Sequence, residues 1–244
     1  MAFDTHPLVR VSARGGHGLD TDRYPASIPA VAQLLAEGLD FSPGVTFLVG
    51  ENGSGKSTLV EAIAIAYGLS PEGGTTSATH STRSSESGLA EALTLQRGLG
   101  SQRSNGFFLR AETMHGWFSW IESLPGGSHA DYHSMSHGQS FNALIDWAIN
   151  PRFPQGLLVL DEPEAALSFS STLRLIGVLR QATELGNQVI CATHSPVLAS
   201  SPGAEILEIG DWGIRHTAWQ DLELVEHWRR YLDAPDRYLR HLLD

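Results

Sequence analysis

The sequence predicts an α/β fold built on a mostly parallel central sheet, and three stretches predict it. GENGSGKST, Gly50–Thr58, stands between an apolar run, Val45–Val49, and a helical pattern that begins at Leu59. LLVLDEP, Leu157–Pro163, is an apolar strand ending in two acids, and QVICA, Gln188–Ala192, is another continuous apolar run. Strands apolar on both faces, alternating with helical periodicity, are the pattern of a parallel sheet covered by helices.

The other elements follow in order. PLVRVSA (7–13) reads as a strand, with a polar loop and a short helix near Ile28–Glu37 before the strand at 45–49. The helix after the glycine-rich loop is expected from Thr58 to about Tyr67, with Gly68 as its stop signal. Residues 70–88, rich in Ser, Thr and Gly, read as a surface loop or a partly disordered excursion. Alternation resumes at Leu89–Leu95, and GFFLRA (106–111) looks like a strand end. Trp117, Phe118, Trp120 and Ile121 suit a small helical subdomain within 112–135, which is too short for a long coiled coil. From Gly138 to Ile149 the apolar residues Phe141, Leu144, Ile145, Ala148 and Ile149 share one helix face. Leu175, Val178, Leu179 and Ala182 mark the next helix, ended by Gly186. A strand at Glu205–Ile209 precedes a tail that is helical from about Leu222. The 244 residues suit a single domain, with a small helical part at about 112–150 and the helical tail at about 220–244.

Composition bounds the function classes. The longest apolar runs fall far short of the ~20 residues that span a bilayer, and no signal-peptide pattern opens the chain. The one cysteine, Cys191, lies inside an apolar strand and reads as a buried packing residue. A cytoplasmic protein is the expectation. Net charge is −11, which does not indicate a nucleic-acid partner, because phosphate backbones reward Lys and Arg. Arg229, Arg230, Arg237 and Arg240 alternate with apolar residues and read as a solvated helix face.

The loop at 50–58 has the spacing of a phosphate-binding P-loop. Gly50, Gly53 and Gly55 let the backbone approach phosphate oxygens closely. Together with Glu51, Asn52, Ser54 and Thr58, they direct backbone N–H groups and a helix N-terminus at the anion. Lys56 is expected to reach the β- and γ-phosphates, and the Ser57 hydroxyl to ligate Mg²⁺. Asp161 and Glu162 stand at the carboxyl end of a strand, where ligands of open α/β sheets bind. Asp161 suits the Mg²⁺ shell, and Glu162 the general base or the group that orients the attacking water.

MSHGQ, Met135–Gln139, opens the amphipathic helix, and ATHSP follows the QVICA strand. With the two motifs above, in this order, the chain resembles the ABC-type P-loop ATPases. Their fold implies a mostly parallel sheet, an antiparallel N-terminal β part and a small helical subdomain. MSHGQ is similar to the LSGGQ signature, with His137 where that pattern has glycine, and His194 resembles the switch histidine that contacts the γ-phosphate. The resemblance implies ATP and Mg²⁺, and a head-to-tail homodimer. In that dimer Ser136, Gly138 and Gln139 of one copy complete the nucleotide site of the other. Glu112, after GFFLRA, is the best match to the family's glutamine-bearing loop and so a candidate near the metal; a strand-end ion pair is the alternative. Ala165-Ala166-Leu167-Ser168 replaces the family's S-A-L-D loop and lacks its aspartate. His129, His133 and His137 recur every four residues but read as a polar loop rather than a metal site. Arg10 and Arg14 are positional candidates for the adenine contact.

Within the family, the sequence most resembles compact stand-alone bacterial ATPases labelled AAA-family. The alternatives are the nucleotide-binding subunit of a transporter and an ATP-gated module that holds DNA or an effector with slow turnover. The partner is accordingly expected to be a membrane subunit, a nuclease or a toxin. A chromosome-organising ATPase does not fit, because 112–135 cannot form its long stalk.

Overall fold

The computed structural model describes residues 6–71, 74–75, 88–99, 105–110 and 156–243. The expected parts at 112–150 lie outside the described residues, including Glu112, the signature Met135–Gln139 and all three spaced histidines.

Seven strands form the central sheet, in the order β10 (Gly213–His216), β9 (Glu205–Gly210), β3 (Val45–Val49), β8 (Gln188–Thr193), β7 (Leu157–Asp161), β6 (Gly106–Arg110) and β4 (Gly74–Thr75). The five inner strands run parallel, and only the outermost pairs, β10 with β9 and β4 with β6, are antiparallel. A separate antiparallel sheet orders β2 (Leu39–Asp40), β1 (Arg10–Ala13) and β5 (Leu93–Gln96). The α/β class, the mostly parallel sheet and the antiparallel N-terminal part are therefore all present.

Residues along each inner strand alternate between two cores. Leu48, Val159, Ile190 and Leu207 pack on one face with α1 (Pro29–Glu37) and α2 (Lys56–Tyr67). Phe47, Val49, Leu158, Leu160 and Cys191 pack on the other. That second face meets α3 (Phe169–Glu184), the short α4 (Pro196–Ala199), and Leu222 and Val225 of the tail. Full burial of each Phe, Leu or Val is worth roughly 1.5–3 kcal/mol, so a strand buried on both faces is held firmly in register. Burial also pushes the Cys191 thiol well above its ordinary pKa, consistent with a packing residue.

Several boundaries differ from the sequence expectation. Helix α2 begins at Lys56, so the lysine and serine of the loop already belong to its first turn. The alternation at 89–95 divides into a 3-10 turn, Ala90–Ala92, and β5, which joins the N-terminal sheet. Strand β10 follows Gly210 by a tight hairpin through Gly213, at φ 95°, a turn the apolar pattern did not signal. The tail forms α5 (Glu223–Asp233) and α6 (Pro235–Leu243), with Arg229, Arg230, Arg237 and Arg240 exposed as expected. No helix among the described residues is long and apolar enough to cross a membrane.

Candidate functional site

The parallel register puts the carboxyl ends of β3, β7 and β8 side by side, and each delivers part of one cluster. After β3 the chain turns sharply. A Cβ on Gly50 would lie 2.3 Å from the Ile209 carbonyl oxygen, so no other residue fits there without displacement. Gly55, at φ 99°, is the N-cap of α2 and offers no capping side chain. The first-turn N–H groups are thus left for an anion, as a helix N-terminus requires for phosphate.

Lys56 is 2% exposed. Its Nζ donates to the Glu51 carbonyl oxygen at 2.8 Å and lies 3.7 Å from Glu162 Oε1. Burial lowers its pKa, opposed by the charges of Glu162, Asp161 and Glu164. A buried cation held by a carbonyl and a carboxylate is pre-placed for a phosphate oxygen. Ser57 Oγ donates to Asp161 Oδ1 at 2.9 Å. This pairing of hydroxyl and carboxylate oxygens is a hard donor set of the kind Mg²⁺ selects, so the residues fit that ion. Among the described residues no cluster of three or more His, Cys, Asp or Glu could hold a metal by itself. A metal here would depend on phosphate oxygens and water as well.

Glu162 is the only residue other than glycine at positive φ among the described residues, at φ 49°, ψ 50°. Such a conformation costs about 1–3 kcal/mol and collects at functional positions. Here it turns the carboxylate toward Lys56 and His194, whose Nδ1 lies 3.6 Å from Glu162 Oε1. The structure therefore brings Lys56, Ser57, Asp161, Glu162 and His194 together. Glu51, Asn52, Gly53, Ser54 and Thr58 complete the loop, and the Ser54 hydroxyl is buried without a hydrogen-bond partner.

Two residues support the cluster: Glu164, which the sequence reading did not single out, and Arg110, which it noted only as a neighbour of Glu112. Glu164 accepts from the His194 N–H at 2.8 Å and from Thr193 Oγ1 at 2.5 Å, and lies 3.6 Å from His194 Nδ1. It therefore holds the backbone that presents His194. Arg110 pairs opposite Asp161 in the β6–β7 register. Its Nη1 donates to Glu61 at 2.9 Å, and its Nε lies 3.4 Å from Asp161 Oδ2. One signal was available: both are charged residues beside an apolar strand end. The Arg10 guanidinium pairs with Asp40 of β2 and donates to the Glu37 carbonyl at the end of α1.

Two family models match adjoining stretches of the chain. Residues 33–98 match one described as "AAA domain", and residues 95–200 match "AAA domain, putative AbiEii toxin, Type IV TA system". Among solved structures, "An inward-facing conformation of a putative metal-chelate type ABC transporter" overlays 93% of this chain and 89% of that one. Its TM-score is 0.51 at 14% identity, so the likeness is one of fold. The family models and the relatives below liken the chain to ABC-like P-loop ATPases, and the solved structure adds a likeness of fold.

The relatives lie within that class. A "Putative ABC transporter ATP-binding protein" of Streptomyces coelicolor is 31% identical over 181 residues, 66% of this chain and 31% of that protein. An "Uncharacterized ABC transporter ATP-binding protein" of Haemophilus influenzae is 27% identical over 113 residues, 46% of this chain and 42% of that protein. The chain spans less than half the length of either relative.

Proposed function

We propose that this chain is a single ABC-type ATPase domain that binds ATP with Mg²⁺ and hydrolyses it. The observation that carries the reading is the joining of Lys56, Ser57, Asp161, Glu162 and His194 at three adjacent strand ends. The loop N–H groups and Lys56 bind the β- and γ-phosphates. Ser57 and Asp161 are the residues that would hold Mg²⁺, which neutralises phosphate charge when bound. Glu162 orients a water and takes its proton as the water oxygen bonds to the γ-phosphorus and the bond to the β–γ bridging oxygen breaks. His194 donates a hydrogen bond to the γ-phosphate, held in place through Glu164.

The finer part of the proposal is a homodimer. Ser136, Gly138 and Gln139 of a second copy would close the site over the γ-phosphate, and Glu112 would approach the metal. ATP would then join the copies, and hydrolysis would release them and gate a partner protein. A membrane subunit is favoured as that partner by the names of the curated relatives, and a toxin by the wording of one family description. The compartment in this reading is the cytoplasm. Steady-state ATPase of wild type and Glu162→Gln tests the chemistry: turnover should fall at least ~100-fold, and unchanged turnover rejects the base. Size-exclusion of Glu162→Gln with and without ATP tests the dimer. An unchanged monomer rejects the shared site.

A further inference from the structure

A cavity of about 570 Å³ borders the phosphate-binding loop and is lined by none of Lys56, Ser57, Asp161, Glu162 and His194. Its floor is Gly50–Ser54 and one wall is the β9–β10 turn, Glu208–Trp212. Helices α5 and α6 close it with Glu223, His227, Trp228, Tyr231 and Tyr238. None of the nucleotide chemistry above uses these tail residues.

Two features define what fits there. The first is aromatic: Trp228 and Tyr231 meet edge to face at 6.5 Å, Tyr231 and Tyr238 at 5.9 Å, and His227 and Tyr238 at 6.2 Å. Trp228 nevertheless remains 48% exposed and Trp212 43% exposed. The second is charge. Glu51, Glu208, Asp211 and Glu223 line the cavity, and no lysine or arginine does. Arg215 ion-pairs with Glu208 at 2.6 Å and reaches Glu223 at 3.7 Å. Glu51 and Asp211 have no ion-pair partner among the described residues. Ring faces and uncompensated carboxylates both attract cations.

The chain contains its own example of the match. The Arg215 guanidinium stacks 3.9 Å from the Trp212 ring centre while bonding the buried Glu208. Trp228 and Tyr231 line the same cavity as Asp211, and among the described residues no cation stacks on either ring. We infer that the cavity is a docking site for a basic segment of a partner polypeptide, an Arg or Lys side chain entering the ring cluster beside Asp211. The half-exposed rims favour a chain over a small free cation. A segment would cover Trp228 and Trp212 as well as deliver charge, whereas a small amine would leave them wet. The site stands whether or not the chain hydrolyses ATP, since its ring cluster and Asp211 are separate from the catalytic cluster.

Titration calorimetry of the full chain with capped hexa-arginine tests this, against the same peptide built of uncharged citrulline. Hexa-arginine should bind at least ~10-fold tighter than the citrulline peptide. Trp228→Leu and Tyr231→Leu keep an apolar side chain and the protein's net charge but remove the ring face, and each should weaken hexa-arginine binding several-fold. Asp211→Asn, on the hairpin and away from helix packing, should do the same. Equal binding by wild type and all three variants would overturn the proposal, reducing the effect to general attraction to an acidic protein. Equal binding of the citrulline peptide would overturn it too. Arginine amide or spermidine binding as tightly as the peptide, at the same residues, would make this a small-molecule site instead. ATP binding measured in the same variants should be unchanged, which separates failure here from failure of the nucleotide reading.

Discussion

Around Lys56, charged groups pack against one another. Lys56 is 2% exposed and Asp161 6%, and Ser57, Glu162, Glu164, Arg110 and His194 are joined across four strand ends. In the cavity that Gly50–Ser54 border, Trp228 and Tyr231 stand 48% and 37% exposed on α5, which Leu222 and Val225 anchor to the core. Pre-organisation suits a reaction, where each donor must already point at developing charge. Exposed rings over carboxylates suit capture of something that arrives later. The same loop borders both the charged cluster and the cavity.

The comparison can be broken most sharply on the catalytic side. Lys56→Ala should abolish measurable ATP binding, read by calorimetry, because it removes the buried cation placed for the phosphates. Glu162→Gln should leave ATP binding intact and reduce turnover at least ~100-fold. Removal of Mg²⁺ with a chelator should stop turnover in the wild type. Glu162→Gly should abolish turnover yet raise thermal stability by about 1 kcal/mol, because glycine accepts φ 49° without strain. If stability falls instead, the contacts of Glu162 with Lys56 and His194 outweigh its backbone strain.

Smaller effects sharpen it. Glu164→Gln keeps an acceptor for the His194 N–H but loses the charge, and should lower kcat about 10-fold with little change in KM. An equal loss in KM would show that Glu164 serves nucleotide binding rather than His194. Arg110→Leu should cost about 1–3 kcal/mol by leaving Glu61 and Asp161 without their cation, measured by denaturant melts. Trp228→Leu should change stability by less than about 0.5 kcal/mol, as for an exposed position, and leave ATP turnover unaltered.

The strand runs at 45–49, 157–161 and 188–193 were legible because each is apolar on both faces, which only a sheet covered on both sides accommodates. The loop and the two acids were legible because their chemistry demands particular residues at short range. Helix boundaries were less so. Lys56 begins α2, yet nothing local separates a helical lysine from one in the preceding turn. Strand β10 was hidden because it is short and half-exposed, and its pairing is fixed by the glycine turn. The role of Glu164 and the partners of Arg110 were hidden, because those contacts join separate elements.

By itself, then, the sequence determined the class of fold and the identity of the phosphate loop, since both follow from periodicity and spacing within a few residues. Tertiary structure alone decided which charges meet. Asp161 faces Ser57 from 104 positions away, and a contact of that kind depends on strand order and register. It also decided that the loop borders a cavity. The rings of the tail and the carboxylates of the β9–β10 turn are ordinary residues in sequence, and become a cavity only where the helices fold back beside Gly50–Ser54.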